Sequence, residues 1–286
     1  MRIGIGLPNP VPGTPGPILV EWARRAEERG FSSLATIDRI VYPSHESLTT
    51  LAAAGAATER IGLMTNILIG PTRNPVGLAK QAASIDQISE GRFTLGLAAG
   101  SRSDDYAAVG RPFTRRGRDF DELLEVIHRV WRGEPVSQSG NPVGPPPYNG
   151  ERVRVLIGGT VDAAVDRTVK WAEGWTAGGG RPAMIGPMVE RVRMAWAEAG
   201  RAGEPYLVAL TYYGLGERES ESSAYIRDYY AYLGDWAGAI DSGVDRTPEA
   251  ASQSLVAFGD LGLDELIFVP TVAETAQVDL IADAVL

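Results

Sequence analysis

Few side chains in this 286-residue sequence are suited to chemistry, and they fall at particular places. The stretch "GLMTNILIGPTRNP" (62–75) is an apolar run broken by Thr65 and Asn66 and stopped by turn formers. An amide inside such a run is either satisfied by neighbouring backbone or aimed at a bound molecule. A second apolar run, "SSLATIDR", ends on Asp38 and Arg39. Arginine cannot serve as a base at neutral pH, but it can stabilise developing negative charge. "IGGT" (157–160) and "GWTAGGG" (174–180) set hydroxyls among glycines. Where such a turn opens a helix, free backbone N–H groups favour an anion, although glycines serve equally well simply to turn a chain. His45 and His128 are the two histidines. His45 follows Arg39 by six residues in a loop, whereas His128 lies in a helical stretch beside Ile127 and Trp131, as a packing residue would.

Composition removes several kinds of chemistry. With no cysteine there is no thiolate nucleophile, disulfide or sulfur-bound metal, and two histidines are too few for a zinc centre, so no metal is expected. Lys80 and Lys170 are the only lysines and both fall on helices, which leaves a Schiff-base aldolase without its residue. Lys plus Arg is 27 against 36 for Asp plus Glu, a net charge of −9 with no basic run to follow a phosphate backbone, so no nucleic-acid partner is expected. No stretch approaches the roughly twenty apolar residues of a membrane span. "MRIGIGLPNP" enters a strand directly, and the expected location is cytoplasmic.

The elements that must position these residues alternate along the chain. "RIGIGLP", "SSLATID", "GLMTNILIG", "RFTLGLAAG", "VRVLIGG", "GWTAG", "YLVALTYYG" and "ELIFVP" read as eight strands, each followed by a helix-period segment. Asn74 and Pro75 open one helix, whose inward face is expected to carry Val76, Ala79, Ala82, Ala83 and Ile88. Apolar strands alternating with amphipathic helices imply a parallel sheet covered by helices, and eight units close as an α/β (β/α)8 TIM barrel. An open doubly wound sheet is the competitor, but the first turn, "LPNPVPGTPG", lacks G-x-G-x-x-G. The expectation is one barrel domain over 1–286, with loop insertions near 101–118, 134–152 and 214–247.

In such a barrel the reaction face is the C-terminal end of the strands. Pro8, Asn9, Asp38, Arg39, Thr65 and Asn66 fall there from the first three strands, and Ser101, Arg102 and Asp104 after the fourth. Gly158, Gly159, Thr160, Thr176, Thr211, Tyr212 and Pro270 complete the ring. Polar groups gather on this rim while the strands behind it are nearly all apolar, which marks the rim as the expected pocket. Tyr42, Tyr106, Phe113, Tyr148, Tyr212 and Tyr213 lie in or near its loops and could line an apolar chamber, with 101–118 as a lid.

The segment "RNPVGLAKQAASIDQISEGRFTLGLAAG", together with "GRPFTRRGRDFDELLEVIHRVW" and "IGGTVDAAVDRTVKWAEGW", resembles the bacterial luciferase-like superfamily of flavin- and deazaflavin-dependent oxidoreductases over nearly the whole chain. The resemblance implies a luciferase-like barrel whose third strand carries a bulge with a cis peptide at Asn66–Ile67, pressed against a flavin or deazaflavin ring. It also implies that Gly158, Gly159 and Thr176 meet the cofactor's phosphate or ribityl chain, with Gly178 and Gly179 close by. Arg102 would be an anion partner and Asp104 a neighbour of the cofactor tail, although a carboxylate beside a phosphate is repulsive unless Arg102 intervenes. Many relatives carry a histidine after the second strand where this chain has Arg39; His45 could replace it only if its loop folds back. Arg39 and His45 are thus the catalytic candidates.

The resemblance implies an enzyme, and the leading expectation is an FMN-dependent monooxygenase that acts with reduced FMN on a small organic substrate. A flavin reductase would supply the FMN. The alternative is a hydride-transfer oxidoreductase using coenzyme F-420; a third is a barrel that binds flavin without turnover. Relatives often form a homodimer through flank helices, and no apolar stripe in the sequence singles out such a face.

Overall fold

The structure, a computed structural model, describes residues 1–138, 140–150 and 152–286; Ser139 and Glu151, in the loop expected at 134–152, lie outside the described residues. Strand β1 (Arg2–Gly6) is followed by helix α1 (Gly16–Arg29), and β2 (Ser33–Thr36) by α2 (Ser47–Ala57). The third stave is split into β3 (Gly62–Thr65) and β4 (Leu68–Ile69) and leads to α3 (Pro75–Ile88). β5 (Phe93–Ala98) passes through the short α4 (Ser103–Ala108) to α5 (Arg116–Trp131). β6 (Arg154–Gly158) precedes α6 (Asp162–Trp171), and β7 (Gly174–Gly179) precedes α7 (Pro182–Glu198). β8 (Tyr206–Tyr213) is followed by α8 (Glu219–Tyr229), α9 (Trp236–Asp241) and α10 (Pro248–Gly259), and β9 (Glu265–Pro270) by α11 (Ala276–Val285).

Every pairing between these strands is parallel, and the ring closes. β1 pairs with β2 on one side and β9 on the other, the order runs back through β8, β7 and β6 to β5, and β5 pairs with both β3 and β4. The eight staves with their helices form a (β/α)8 TIM barrel, as expected. Cover on both faces follows from the sequence pattern, since a strand apolar on both faces must be buried on both, and the β3–β5 pairing closes the ring. Along β9, Leu266 and Phe268 pack outward under the helices while Ile267 and Val269 point into the barrel with Ala35, Met64, Leu156 and Val208. Close approach fixes two glycines. A Cβ on Gly96 would stand 2.1 Å from the Thr65 carbonyl oxygen, and one on Gly174 would stand 1.9 Å from that of Tyr206.

The helices start and stop where the residues direct. The side chain of Asn74 accepts the Gly77 N–H, with Pro75 in the first turn of α3, and α1 ends at Gly30 in the left-handed region. Ile88 is the exception. Expected to face inward, it is 51% exposed. At about 100° per residue it lies roughly 140° from the centre of the arc formed by Leu78, Ala79, Ala82, Ala83, Ile85 and Asp86.

The 101–118 excursion contains α4, and 214–247 contains α8 and α9. The tyrosines of α8 join the barrel interior, with Tyr225 and Tyr229 packing in the same cluster as Leu210 and Tyr212. α8 therefore covers the strand ends.

Candidate active site at the barrel mouth

The site begins where the third stave breaks. The Asn66–Ile67 peptide is cis, and the Asn66 N–H donates to the Thr36 carbonyl at 2.8 Å, which ties the break to β2. The Thr176 hydroxyl donates to Asn66 Oδ1 at 2.7 Å. In this arrangement the amide presents its oxygen to the hydroxyl, which can itself donate or accept. Asn66 Nδ2 is then left buried with no hydrogen-bond partner among the described residues. Beside it Ile67 fills the space above Gly158, where a Cβ would come within 2.5 Å of Ile67 Cδ1. A Cβ on Gly178 would meet nothing within 4 Å, because β7 slips register between Thr176 and Gly179 and opens outward there. Asn66, Ile67, Gly158, Gly159, Thr176 and Gly178 line one cavity of about 300 Å³.

A second cavity, of about 220 Å³, shares Asn66, Ile67 and Gly178 and is walled by Arg39, Arg102 and Asp105. Arg39 Nη2 donates to Asp104 at 3.1 Å, its guanidinium carbon lies 4.9 Å from the Tyr42 ring centre, and its Nε is buried without a partner among the described residues. Arg102 is a strand-end residue in the sequence, but the structure buries it to 7% exposure beneath α8. There Arg102 Nη2 donates to the Tyr229 carbonyl at 2.8 Å and Nη1 has no partner among the described residues. Asp104 faces out and lines neither cavity, with a side chain 51% exposed. The carboxylate in the wall is Asp105, which sequence reasoning missed. One of its oxygens accepts the N–H groups of Ile40 and Val41 at 2.9 and 2.7 Å, and the other is buried without a partner among the described residues. The available signal was the pairing of Asp105 with Tyr106, since both turn inward from α4.

His45 is not brought to this wall. Its Nε2 lies 2.7 Å from the Thr14 carbonyl and its backbone N–H donates to Asn9, so the loop holds it away from both cavities. His128 is buried and stacked on Trp171 at 5.0 Å, and burial pulls its pKa down to about 4, which keeps it neutral at pH 7. Asp38 lines the second cavity but is bound by both Nη atoms of Arg73 and by the Ile69 N–H. Burial raises its pKa, while Arg73 and the Ile69 amide oppose the shift.

The apolar chamber is built differently from the one expected. Tyr213 is buried in the core, Tyr106 packs on Phe113, and Tyr148 is an exposed side chain. Of the expected aromatics Tyr212 lines the chamber, together with Met184, Leu233, Trp236 and Ile240, in a cavity of about 650 Å³. Gly179 borders all three cavities. Burial pushes the Tyr212 phenol well above its usual pKa, and its hydroxyl meets that of Tyr230 at 2.6 Å. Among the described residues no group of three or more His, Cys, Asp or Glu could hold a metal ion, and no helix is long and apolar enough to cross a membrane.

A closed parallel barrel with polar groups and cavities gathered at the C-terminal ends of its strands belongs to the class of (β/α)8 barrels with a ligand-binding mouth. The sequence profile of the luciferase-like monooxygenase family matches residues 1–272, and the chain belongs to that family. An uncharacterized protein of Mycobacterium tuberculosis is 30% identical over 206 residues, 63% of this chain and 71% of its own length. The F-420-dependent glucose-6-phosphate dehydrogenase of Kribbella flavida is 30% identical over 66% of this chain and 52% of that protein. The FMNH2-dependent dimethylsulfone monooxygenase of Pseudomonas putida is 28% identical over 55% of this chain and 46% of that protein. Among solved structures, an F-420-dependent secondary alcohol dehydrogenase superposes with a TM-score of 0.82 at 16% identity, covering 99% of this chain and 98% of that one. The monooxygenase RslO1 of Streptomyces bottropensis has a TM-score of 0.78 at 20% identity, with the same coverage of each chain. At these identities the structural likeness is one of fold.

Proposed function

We propose that this chain is an oxidoreductase whose barrel mouth seats the ring of reduced FMN against Asn66–Ile67, and that it acts as a monooxygenase on a small organic substrate. The observation that carries the reading is the orphaned Asn66 Nδ2, buried in the cavity wall between glycines. A buried donor without an acceptor costs about 1–3 kcal/mol, and a heteroatom on a planar ring edge removes that cost. The remaining residues fit the same group. Thr176 anchors the amide by a hydrogen bond, Gly158 leaves room for Ile67, and the open space at Gly178 would admit a ring or its ribityl chain. When bound, reduced FMN supplies electrons to oxygen; the protein binds and orients the ring and keeps water from it. Arg39, held by Asp104, supplies a fixed positive charge on the adjoining wall and cannot take a proton. A flavin reductase that delivers the reduced cofactor belongs to this reading.

A second reading, hydride transfer with F-420, draws support from the Kribbella flavida relative, whose alignment covers more of this chain than that of the FMNH2-dependent relative. Anaerobic titrations with FMN and F-420, each oxidised and reduced, test both readings. Tight binding of reduced FMN, followed by substrate-dependent oxygen uptake, is the expected result. Binding and turnover of F-420 alone selects the second reading, and failure to bind either ring overturns both.

A further inference from the structure

We propose that Arg39 and Arg102 together form a subsite for the carboxylate of an organic-acid substrate; this deepens the oxidoreductase reading and rests on it. Both guanidiniums line the 220 Å³ cavity, and each has one buried N–H donor with no partner among the described residues, Nε of Arg39 and Nη1 of Arg102. Arg102 is 7% exposed and has no carboxylate partner among the described residues; its one accepting group is the Tyr229 carbonyl.

The aromatic rings explain how the two cations are held without being consumed. The guanidinium carbon of Arg39 lies 5.5 Å from the centre of the Tyr229 ring, and that of Arg102 lies 4.6 Å from the same ring and 4.1 Å from Tyr232. A ring stacked on a guanidinium uses the face of the cation and leaves its in-plane N–H fork free. Stacking on Tyr42, Tyr229 and Tyr232 therefore holds both cations; each gives one Nη2 donor to a protein acceptor and keeps one buried donor free, Nε of Arg39 and Nη1 of Arg102.

Charge on the wall points the same way. Asp38 is neutralised by Arg73, and Asp104 faces outward beside Arg39. The cavity is lined by Arg39 and Arg102 and by the carboxylates of Asp38 and of Asp105, the latter with one oxygen taken by two backbone N–H groups. Arg102 is the wall cation with no carboxylate partner among the described residues, and its buried free donor calls for an acceptor. A planar carboxylate matches guanidinium forks, and the adjoining apolar chamber at Leu233, Trp236 and Ile240 would take the body of the acid across Gly179.

The same donors would also accept a cofactor phosphate, so the test separates the two sources. Calorimetry on the cofactor-free protein uses benzoate, its uncharged counterpart benzamide, and inorganic phosphate. Reduced FMN and reduced F-420 are titrated in parallel. The expected result is benzoate binding at least tenfold tighter than benzamide, lost tenfold or more in Arg102→Gln and in Arg39→Gln, with the affinity for the reduced ring changed less than threefold in Arg102→Gln. Arg102→Lys, which keeps the charge and removes the fork, carries the test if Arg102→Gln does not fold; it too is expected to lose benzoate. Equal binding of benzoate and benzamide overturns the proposal. So does phosphate that displaces benzoate while ring affinity falls in step with it across the variants. Benzoate binding is read without cofactor, so a failed ring titration overturns the oxidoreductase reading separately.

Discussion

Asn66 was legible as an anomaly because an amide in an apolar run needs an explanation, but which of its two ends would be free depends on Thr176, 110 positions away. Replacing Asn66 by Asp turns the buried donor into an acceptor. We expect reduced-ring affinity to fall by about 10- to 100-fold, in line with the roughly 1–3 kcal/mol cost of a buried unmatched group, with the melting temperature little changed; anaerobic titration reads the first and a thermal melt the second. Adjacent carboxylates were harder to tell apart, since only the helical turn of α4 decides that Asp105 points in and Asp104 out. Asp245 gives a pH prediction at the same scale. Burial raises its pKa to about 6, against opposing hydrogen bonds from Ser254 and Thr211. The folded state thus holds this proton more tightly than the unfolded chain, and the associated stability is lost as pH rises from the ordinary carboxylate range through about 6. Asp245→Asn is expected to gain on the wild type between pH 5 and pH 7.5, by an amount on the order of 1 kcal/mol, measured by denaturant melts at the two values.

The elements themselves were largely readable. Periodicity and caps gave all eight staves and the helices behind them, because burial on both faces and the Asn-Pro and glycine signals act locally. The roles of particular glycines were not readable, since they depend on what stands opposite. Gly96 and Gly174 face backbone carbonyls, which cannot move without breaking the ring, whereas Gly158 faces the tip of the Ile67 side chain. Accordingly, Gly96→Ala and Gly174→Ala should lose several kcal/mol, on the scale of severe packing clashes, or fail to fold. Gly158→Ala should melt within a few degrees of wild type yet bind the reduced ring more weakly, because Ile67 is pushed into the seat. Circular dichroism melts paired with ring titrations separate the two kinds of glycine. The chamber was misread for a related reason. Tyr213 and Tyr106 looked available in the sequence, but each is buried. Trp236 and Leu233 come instead from the long excursion whose path no local pattern specifies.

At the scale of the whole molecule, a chain of net charge −9 carries a buried arginine, Arg102, and a half-buried one, Arg39, at its mouth. An acid approaching from solution meets repulsion over a long range and attraction only at contact. Salt screens the first far more than the second. The association rate of benzoate should therefore rise between about 10 and 150 mM salt, where the Debye length contracts from roughly 30 to 8 Å; stopped-flow fluorescence reads it, and a falling rate would show that attraction dominates the approach. The excursion that bears the chamber wall leaves the barrel at Gly214 and returns at Asp245. These two feet are clasped, since the Gly214 N–H donates to the Asp245 carbonyl at 3.0 Å and the Asp245 N–H to that of Tyr212 at 2.8 Å. A segment whose ends are already joined tolerates a change of length between them, provided what lies there still supplies the tyrosines that cover the strand ends and hold Arg102. The part beyond those tyrosines, which bears Leu233, Trp236 and Ile240, is where the chamber can be recut while the staves stay as they are.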